Sequence, residues 1–259
     1  MTAATLAEAS PHRRPSSGSR VLAVFRLHFV NPGTTIVIPW AILAFIFIVN
    51  VAIWALIFAA ATSPSDRADA QEGTSWSGAA TFLFAYMSVV AVQAVNTTFP
   101  FAQGYGVTRR DFYLGSSLVF VALSAMYAVG LTVLAEIETA TDGWGFGAHM
   151  FTAVYYGDGP WFVRLGLFFA LFLFFFFLGA AFATVFVRWK AIGMIVSFGA
   201  ITLVLLAAIA LVTLSDGWPA VGAWFGSTGI NGVILWSLVP TAVAAVTGYL
   251  VLRGATPRN

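Results

Sequence analysis

The segment GVTRRDF, residues 106–112, combines the residue types of a helix start with two cations. Thr108 and Asp111 have the spacing of a capping box, in which the hydroxyl and the carboxylate accept the first free backbone N–H groups of a helix. Arg109 and Arg110 fall in the same first turn, where the helix dipole disfavours positive charge. Two cations here need an offsetting negative group outside the helix, either an acidic partner surface or lipid phosphate.

Residues for hydrolytic, redox or metal chemistry are missing. A phosphate-binding loop ends in Gly-Lys-Ser/Thr, but the single lysine, Lys190, is followed by Ala191. The chain has no cysteine, and its histidines, His12, His28 and His149, lie outside the apolar runs. We therefore expect no enzymatic activity, no catalytic residue, no metal site and no cofactor in this chain.

Ionisable side chains inside a membrane usually relay protons or bind cations. None falls near the centre of an apolar run, and the nearest are Glu136 and Glu138, at the end of the third. If that helix extends further, the two carboxylates become candidates for a cation or proton site. The other interpretation is that they are solvated helix-end acids.

Polar residues do interrupt the first two apolar runs. Asn50 lies near the middle of the first, and Gln93, Asn96, Thr97 and Thr98 crowd the second half of the next. Amides are unfavourable against lipid, so these side chains are expected to face another helix or a cavity. They either fix helix packing through hydrogen bonds or line a substrate path, which would contain Asn50, Gln93, Asn96 and Thr97.

The composition indicates that these residues are positioned by helices in a bilayer. The 259 residues are 60% hydrophobic and only 8% charged, whereas soluble domains carry about a quarter charged residues. The net charge of +2 is small and scattered, which gives no support for nucleic-acid binding. The predicted class is an all-α membrane protein.

Six apolar runs reach the length of about 20 residues that a spanning helix needs. They are 35–61, 78–99, 112–135, 161–187, 191–213 and 232–252. No sequence repeat relates the two halves, so an inverted-repeat carrier gains no support.

The basic residues predict the orientation. With a cytoplasmic N-terminus, 10 of the 12 lysines and arginines lie inside, which is a strong positive-inside bias. The ten are Arg13, Arg14, Arg20, Arg26, Arg109, Arg110, Arg188, Lys190, Arg253 and Arg258, and only Arg67 and Arg164 lie outside. Both termini are therefore expected in the cytoplasm, and the expected location is the cell membrane.

The N-terminal region lacks the pattern of a cleaved signal peptide. We expect a disordered cytoplasmic tail over 1–19 and an amphipathic interfacial helix over 20–31, although a cytoplasmic extension of the first span is the alternative. The six-helix transmembrane domain then covers 32–253, and a short cytoplasmic tail covers 254–259.

Two of the outer loops are rich in aromatic residues and glycine. The third loop, 136–161, carries Met150, Phe151, Val154 and Tyr155 at helical spacing, and the fifth, 215–231, has a similar mixture. Such segments are either interfacial or re-entrant half-helices or an ordinary aromatic belt.

Taken together, the six spans, the interfacial helix and the GVTRRDF turn followed by YLGSSLVF resemble a permease subunit of the ABC-2 type exporters. In that family the turn between spans two and three contributes a coupling helix that docks on a separate ATP-binding subunit. The resemblance implies that residues 106–112 form this coupling segment. These are Gly106, Val107, Thr108, Arg109, Arg110, Asp111 and Phe112.

Within that segment, the resemblance assigns the turn to Gly106 and the helix cap to Thr108 and Asp111. Arg109 and Arg110 would face the ATPase or lipid phosphates. Phe112 would insert as an apolar anchor or begin the next span.

The function implied is that of a membrane subunit in an ATP-driven exporter. It would pair with a second copy or a paralogue, in contact with membrane lipids, while separate ATPase subunits bind ATP and magnesium. The implied cargo is a drug, an antimicrobial peptide or a lipid-like molecule that leaves the cell. Two alternatives stay open: an ion- or proton-coupled carrier that uses Glu136 and Glu138, and a non-transporting membrane immunity or scaffold protein.

Overall fold

The structure, a computed structural model, describes residues 16–254. Helices cover 87% of this stretch and it contains no strand, so the predicted all-α class is confirmed. The α-helices are α1 Ser17–Leu27, α2 Ile38–Ala60, α3 Pro64–Ser75, α4 Phe82–Gln93, α5 Phe99–Gly104, α6 Arg109–Ala140, α7 Trp161–Leu214 and α8 Trp218–Arg253. Residues 1–15 of the predicted tail 1–19, and residues 255–259 of the predicted tail 254–259, lie outside the described residues. Residues 17–19, predicted to be disordered, are instead helical.

Several helical stretches are long and apolar enough to cross a membrane. By length and composition five qualify within residues 16–254: Gly33–Ala60, Pro64–Gly104, Arg109–Ala140, Trp161–Leu214 and Trp218–Arg253. The prediction of a membrane protein is therefore supported, although the number five differs from the six predicted spans. The difference comes from α7, whose 54 residues cover both the fourth and the fifth predicted run.

Helix α7 reverses direction at Lys190. This residue has a positive φ and non-helical backbone angles, φ 56° and ψ −147°, inside an otherwise helical stretch. Phe182 and Phe198 stack with ring centroids 4.8 Å apart, whereas 16 residues of straight helix would separate them by about 24 Å. The two halves of α7 therefore form a helical hairpin, and its turn lies at the predicted boundary between the two runs.

Helix α8 has a similar break at Gly229, with φ 61° and ψ −179°. Trp224 and Trp236 lie on opposite sides of this break, yet their rings are 5.9 Å apart. The segment 218–228 is thus a short helix folded back on the remainder of α8, as the half-helix interpretation of the fifth loop predicts.

The other outer loops differ from expectation. The third loop forms a π-helical turn at Gly143–Gly147 and a short 3-10 turn at Val154–Tyr156, rather than a half-helix. Glycines at positive φ, such as Gly143 and Gly147, break any longer helical run there. The first loop contains α3, which the sequence analysis did not predict and which starts with a capping box between Ser63 and Asp66.

The N-terminal helix α1 begins at Ser17 rather than Arg20 and ends at Leu27. Its earlier start is set by Ser16, whose hydroxyl accepts a hydrogen bond from the backbone N–H of Ser19. Between α1 and α2 the chain forms a π-helical segment, Gly33–Val37. The hydroxyls of Tyr86 and Tyr127 donate to the carbonyls of residues 34 and 35 in this segment, at 3.2 Å and 2.7 Å.

Helices α4 and α6 and the first half of α7 form the core. Phe120 and Tyr127 of α6 are fully buried. The ring centroid of Phe120 lies 5.2 Å from that of Phe176 in α7, and the centroid of Tyr127 lies 5.5 Å from that of Phe172. By contrast, α2 and residues 191–214 of α7 expose most of their apolar side chains. That distribution fits a bundle whose outer helices face hydrocarbon.

Candidate functional site

The turn at 104–108 joins α5 to α6 through a glycine-dependent cap. Gly106 has φ +75°, its N–H donates to the carbonyl of Gln103 at 2.9 Å, and the N–H of Val107 donates to the carbonyl of Ala102 at 3.2 Å. This pair of bonds is the Schellman arrangement, which requires a left-handed residue after the helix end. Gly106 therefore forms the turn, as the resemblance implies.

The predicted capping box at the start of α6 is only half formed. The hydroxyl of Thr108 accepts from the N–H of Asp111 at 3.1 Å, which caps the helix. The carboxylate of Asp111 does not complete the box but accepts from the hydroxyl of Ser17 at 2.5 Å and from Nε of Arg20 at 2.6 Å. A charged donor outside the helix binds a carboxylate more strongly than a backbone N–H does.

Close packing continues this contact between α1 and α6. Gly115 of α6 leaves space for α1, because a Cβ atom there would lie 2.6 Å from the Cβ of Val24 and 2.8 Å from the carbonyl oxygen of residue 21. Nε2 of His28 lies 3.4 Å from the hydroxyl of Ser116. The ring centroids of His28 and Phe112 are 6.2 Å apart. The N-terminal helix is thus hydrogen-bonded to, and packed closely against, the first two turns of α6.

The two arginines of the turn have different environments. Arg109 donates from Nη1 to the carbonyl of Arg253 at 2.8 Å, which places a cation at the C-terminus of α8. Arg110 is exposed. The hydrogen bond from Arg109 to the end of α8 was not predicted. Its acceptor lies 144 residues away in sequence, and no local pattern indicates so distant a partner.

Phe112 faces the interior. It is fully buried, with its ring centroid 5.1 Å from that of Phe99. Of its two predicted roles, the structure supports the start of the next span and not an anchor inserted into a partner. The exposed aromatic side chain at this turn is instead Tyr105, which is 77% exposed and which the sequence analysis did not single out.

These contacts gather basic residues at one end of the bundle. This end holds the Arg20–Asp111 ion pair and the hydrogen bond from Arg109 to Arg253. The guanidinium of Arg188 lies next to Gly254 at the same end, close to the α7 turn at Lys190. We call it the basic end, defined by Arg20, Arg26, Arg109, Arg110, Arg188, Lys190 and Arg253.

The predicted substrate-path residues do not form one site. The amide of Asn50 donates to the carbonyl of residue 46 in its own helix at 2.9 Å. Asn50 lies about one helical turn beyond Phe47. The ring centroid of Phe47 is 4.6 Å from that of Trp144 in the third outer loop. It is therefore near the end opposite the basic end.

The other path residues, Gln93, Asn96 and Thr97, lie near the basic end, in or next to the π-helical segment Ala94–Thr98. The Thr97 hydroxyl donates to the carbonyl of Gln93 at 2.6 Å, and both residues are exposed. The Oδ1 atom of Asn96 is buried without a partner in the described stretch. A π-helical turn within a spanning helix often marks a functional position.

The two outer acids are not both solvated, contrary to one of the predicted interpretations. Glu138 is 1% exposed, and its carboxylate accepts from the backbone N–H groups of Met150, Phe151 and Thr152, from the Thr152 hydroxyl and from Nε1 of Trp144. Donors therefore occupy both oxygens, and a bound proton or cation would have to displace them.

Glu136 is half exposed and pairs with Nη1 of Arg164 at 2.9 Å. No group of three or more His, Asp or Glu residues suited to a metal ion occurs within 16–254. The two glutamates thus hold the third outer loop and the start of α7 in place.

The comparisons with known proteins identify no relative. No family model matches the chain, and no curated protein or solved structure does. The family resemblance therefore rests on the topology and on the GVTRRDF turn.

Proposed function

We propose that this chain is the membrane subunit of an ABC-2 type exporter, with six spans and both termini in the cytoplasm. Counting the two halves of α7 separately gives the six spans. The basic end would face the cytoplasm, because positively charged residues next to spanning helices stay on that side. The cell membrane is the corresponding location.

The interlocked turn at 104–112 carries this proposal. Asp111 ties the turn to α1, and Arg109 ties it to the end of α8. A force applied to the turn would therefore reach the interfacial helix, the third span and the last span together. A coupling element that transmits a partner's movement to a helical bundle needs such links.

The proposed docking surface consists of exposed residues of the same turn. Tyr105 and Phe101 are 77% and 53% exposed, and their ring centroids are 4.9 Å apart. Arg110 is exposed nearby and has no described acceptor within 16–254. An aromatic side chain beside an arginine is typical of an interface hot spot.

In this proposal the partner is a separate ATPase subunit that binds ATP and magnesium. Closure of two such subunits would push the turns of two permease copies, or of the chain and a paralogue, and rearrange the spans. No covalent step takes place in this chain. The cargo is a hydrophobic or amphipathic molecule, such as a drug, an antimicrobial peptide or a lipid-like molecule.

Co-purification of the ATPase with the full chain tests the coupling surface. The double variant Arg110→Ala, Tyr105→Ala should weaken binding of the ATPase at least about tenfold, because it removes the exposed charge and aromatic ring together. Arg67→Ala is a matched control, since Arg67 is an exposed arginine of α3, far from the turn. Equal binding by the double variant and the control, with unchanged membrane insertion, would rule out this surface.

A further inference from the structure

A polar cavity of about 350 Å³ opens at the end of the bundle opposite the basic end. Its lining includes Arg164 from the start of α7, Thr139 from the end of α6, and Asp142, His149 and Asp158 from the third outer loop. The volume falls in the range of small-molecule sites. The site is independent of the coupling surface, which lies about 40 Å away along α6.

Arg164 is a buried cation with unused hydrogen-bonding capacity. The residue is 8% exposed, its side chain is 9% exposed, and its described hydrogen bond is the one from Nη1 to Glu136. Its Nε atom is buried without a partner within residues 16–254. A guanidinium has five donors, and leaving buried donors unpaired is unfavourable.

The acids of the cavity do not pair with this guanidinium. Asp142 and Asp158 are exposed, and neither forms an ion pair with Arg164 in the part of the chain that the structure describes. Glu138 also lines the cavity, but its oxygens are occupied by loop donors. The lining thus contains a cation and two carboxylates that form no ion pair with it within residues 16–254.

This charge arrangement selects among ligand classes. A simple anion would meet Arg164 but would be repelled by Asp142 and Asp158. A simple cation would meet the aspartates but would leave the remaining donors of Arg164, which already pairs with Glu136 through Nη1, without an acceptor. A molecule with an acid group and an ammonium group meets both, because each charge then faces its opposite.

We propose that this cavity binds a small zwitterion, with its carboxylate or phosphate on Arg164 and its primary ammonium on Asp142 and Asp158. The same chemistry occurs in free amino-phosphate compounds and in the phosphoethanolamine headgroup of a lipid. Phosphoethanolamine is therefore a suitable probe.

Isothermal titration of the full chain in phosphatidylcholine nanodiscs tests this site. Phosphoethanolamine should bind saturably, and inorganic phosphate, ethanolamine and phosphocholine should each bind at least about tenfold more weakly, because each lacks one of the two interactions or the ammonium N–H donors. The double variant Asp142→Asn, Asp158→Asn should lose about tenfold in affinity for phosphoethanolamine but not for phosphate. Asn tolerates the left-handed backbone of Asp142, φ 49°, so the loop should keep its fold.

Arg164→Lys keeps the charge opposite Glu136 but removes the planar fork, and it should weaken both phosphoethanolamine and phosphate. An unchanged thermal midpoint shows that each variant is folded. Absence of saturable binding to the unaltered chain would overturn the proposal, and so would equal affinities of that chain and the aspartate double variant. Nanodiscs with phosphatidylethanolamine distinguish the sources: competition with the probe assigns the site to a lipid headgroup, and undiminished binding assigns it to a soluble zwitterion.

Discussion

Arg20 and Asp111 are 91 residues apart in sequence, but Nε of the arginine lies 2.6 Å from Oδ2 of the aspartate. The side chain of Asp111 is 3% exposed and that of Arg20 is 30% exposed, so the pair is partly shielded from water. Ser17 donates to the other carboxylate oxygen. These bonds hold the N-terminal helix on the turn that we propose as the coupling element.

Replacing Asp111 with Asn should loosen α1, because the neutral amide loses the charged hydrogen bonds from Ser17 and Arg20. The cost should be about 1–2 kcal/mol, at the lower end for charged hydrogen bonds since Arg20 is partly exposed. Amide hydrogen exchange of residues 17–27 should become faster. Asp69→Asn, at an exposed position of α3, is the control and should leave that exchange unchanged.

Hydrogen bonds from Ser17 and Arg20 hold the pKa of Asp111 below its usual range. A carboxyl group with a lowered pKa in the folded state stabilises the fold above its unfolded pKa and loses this contribution as the pH falls through the folded value. The α1 attachment through Asp111 should therefore persist at neutral pH and fail only below about pH 4.

His28 should make α1 docking sensitive to milder acid. Burial lowers the pKa of His28, although its bond to the carbonyl of Val24 opposes this effect. A histidine with a lowered folded pKa favours the docked state above the unfolded value of about 6.5 and weakens it as the pH falls below that value.

The protection factors of residues 17–27, which correct for the slower intrinsic exchange at lower pH, should thus fall in the unaltered chain as the pH drops below about 6.5. His28→Gln should show a flatter profile, because the amide carries no charge at any pH in this range. An identical pH profile in both proteins would contradict the role of His28.

Gly115→Ala should displace α1. The added Cβ would lie 2.6 Å from the Cβ of Val24 and 2.8 Å from a backbone oxygen, and the backbone of α1 cannot move aside without breaking the contact. Overpacking of this kind costs about 1–3 kcal/mol, so both the thermal midpoint and the protection of α1 should fall. Gly199→Ala, where no atom lies within 4 Å of the added Cβ, should lower neither, because alanine favours a helix more than glycine does.

Glu138→Gln should unfold the third outer loop locally. The side-chain NH2 group would face backbone N–H donors in place of an accepting oxygen, which should cost about 2 kcal/mol. Exchange at residues 149–153 should increase, whereas Glu72→Gln on the exposed face of α3 should have no effect there. A change in proton coupling of transport without a change in loop protection would instead support a carrier that uses Glu138.

The sequence predicts the apolar helices well, because a run of about 20 apolar residues has few other structures available in a membrane. The hairpin turn of α7 at Lys190 falls where the fourth and fifth runs meet. Helix α3 was missed although its signal is present, since Ser63 and Asp66 have the spacing of a capping box. The polar composition of that segment favoured an irregular loop, so the capping box was not taken as the start of a helix.

The candidate site was predicted only in part. Local spacing identifies Gly106 and Thr108, because their roles depend on neighbours a few residues away. The partners of Asp111, Arg109 and Glu138 come from distant helices or from a folded loop, and no single-sequence pattern encodes such contacts. For the same reason Asn50 could not be separated from the other polar span residues before the helices were placed.

ATP-dependent transport into inverted membrane vesicles tests the proposed function most directly. Vesicles that contain this chain and a soluble subunit with the G-x-x-x-x-G-K-[ST] motif should accumulate an amphipathic dye on addition of ATP and magnesium. The accumulation should be lost when either subunit is absent and reduced by the double variant Arg110→Ala, Tyr105→Ala. Accumulation that needs only a proton gradient, or none that depends on this chain, would contradict an ATP-driven exporter.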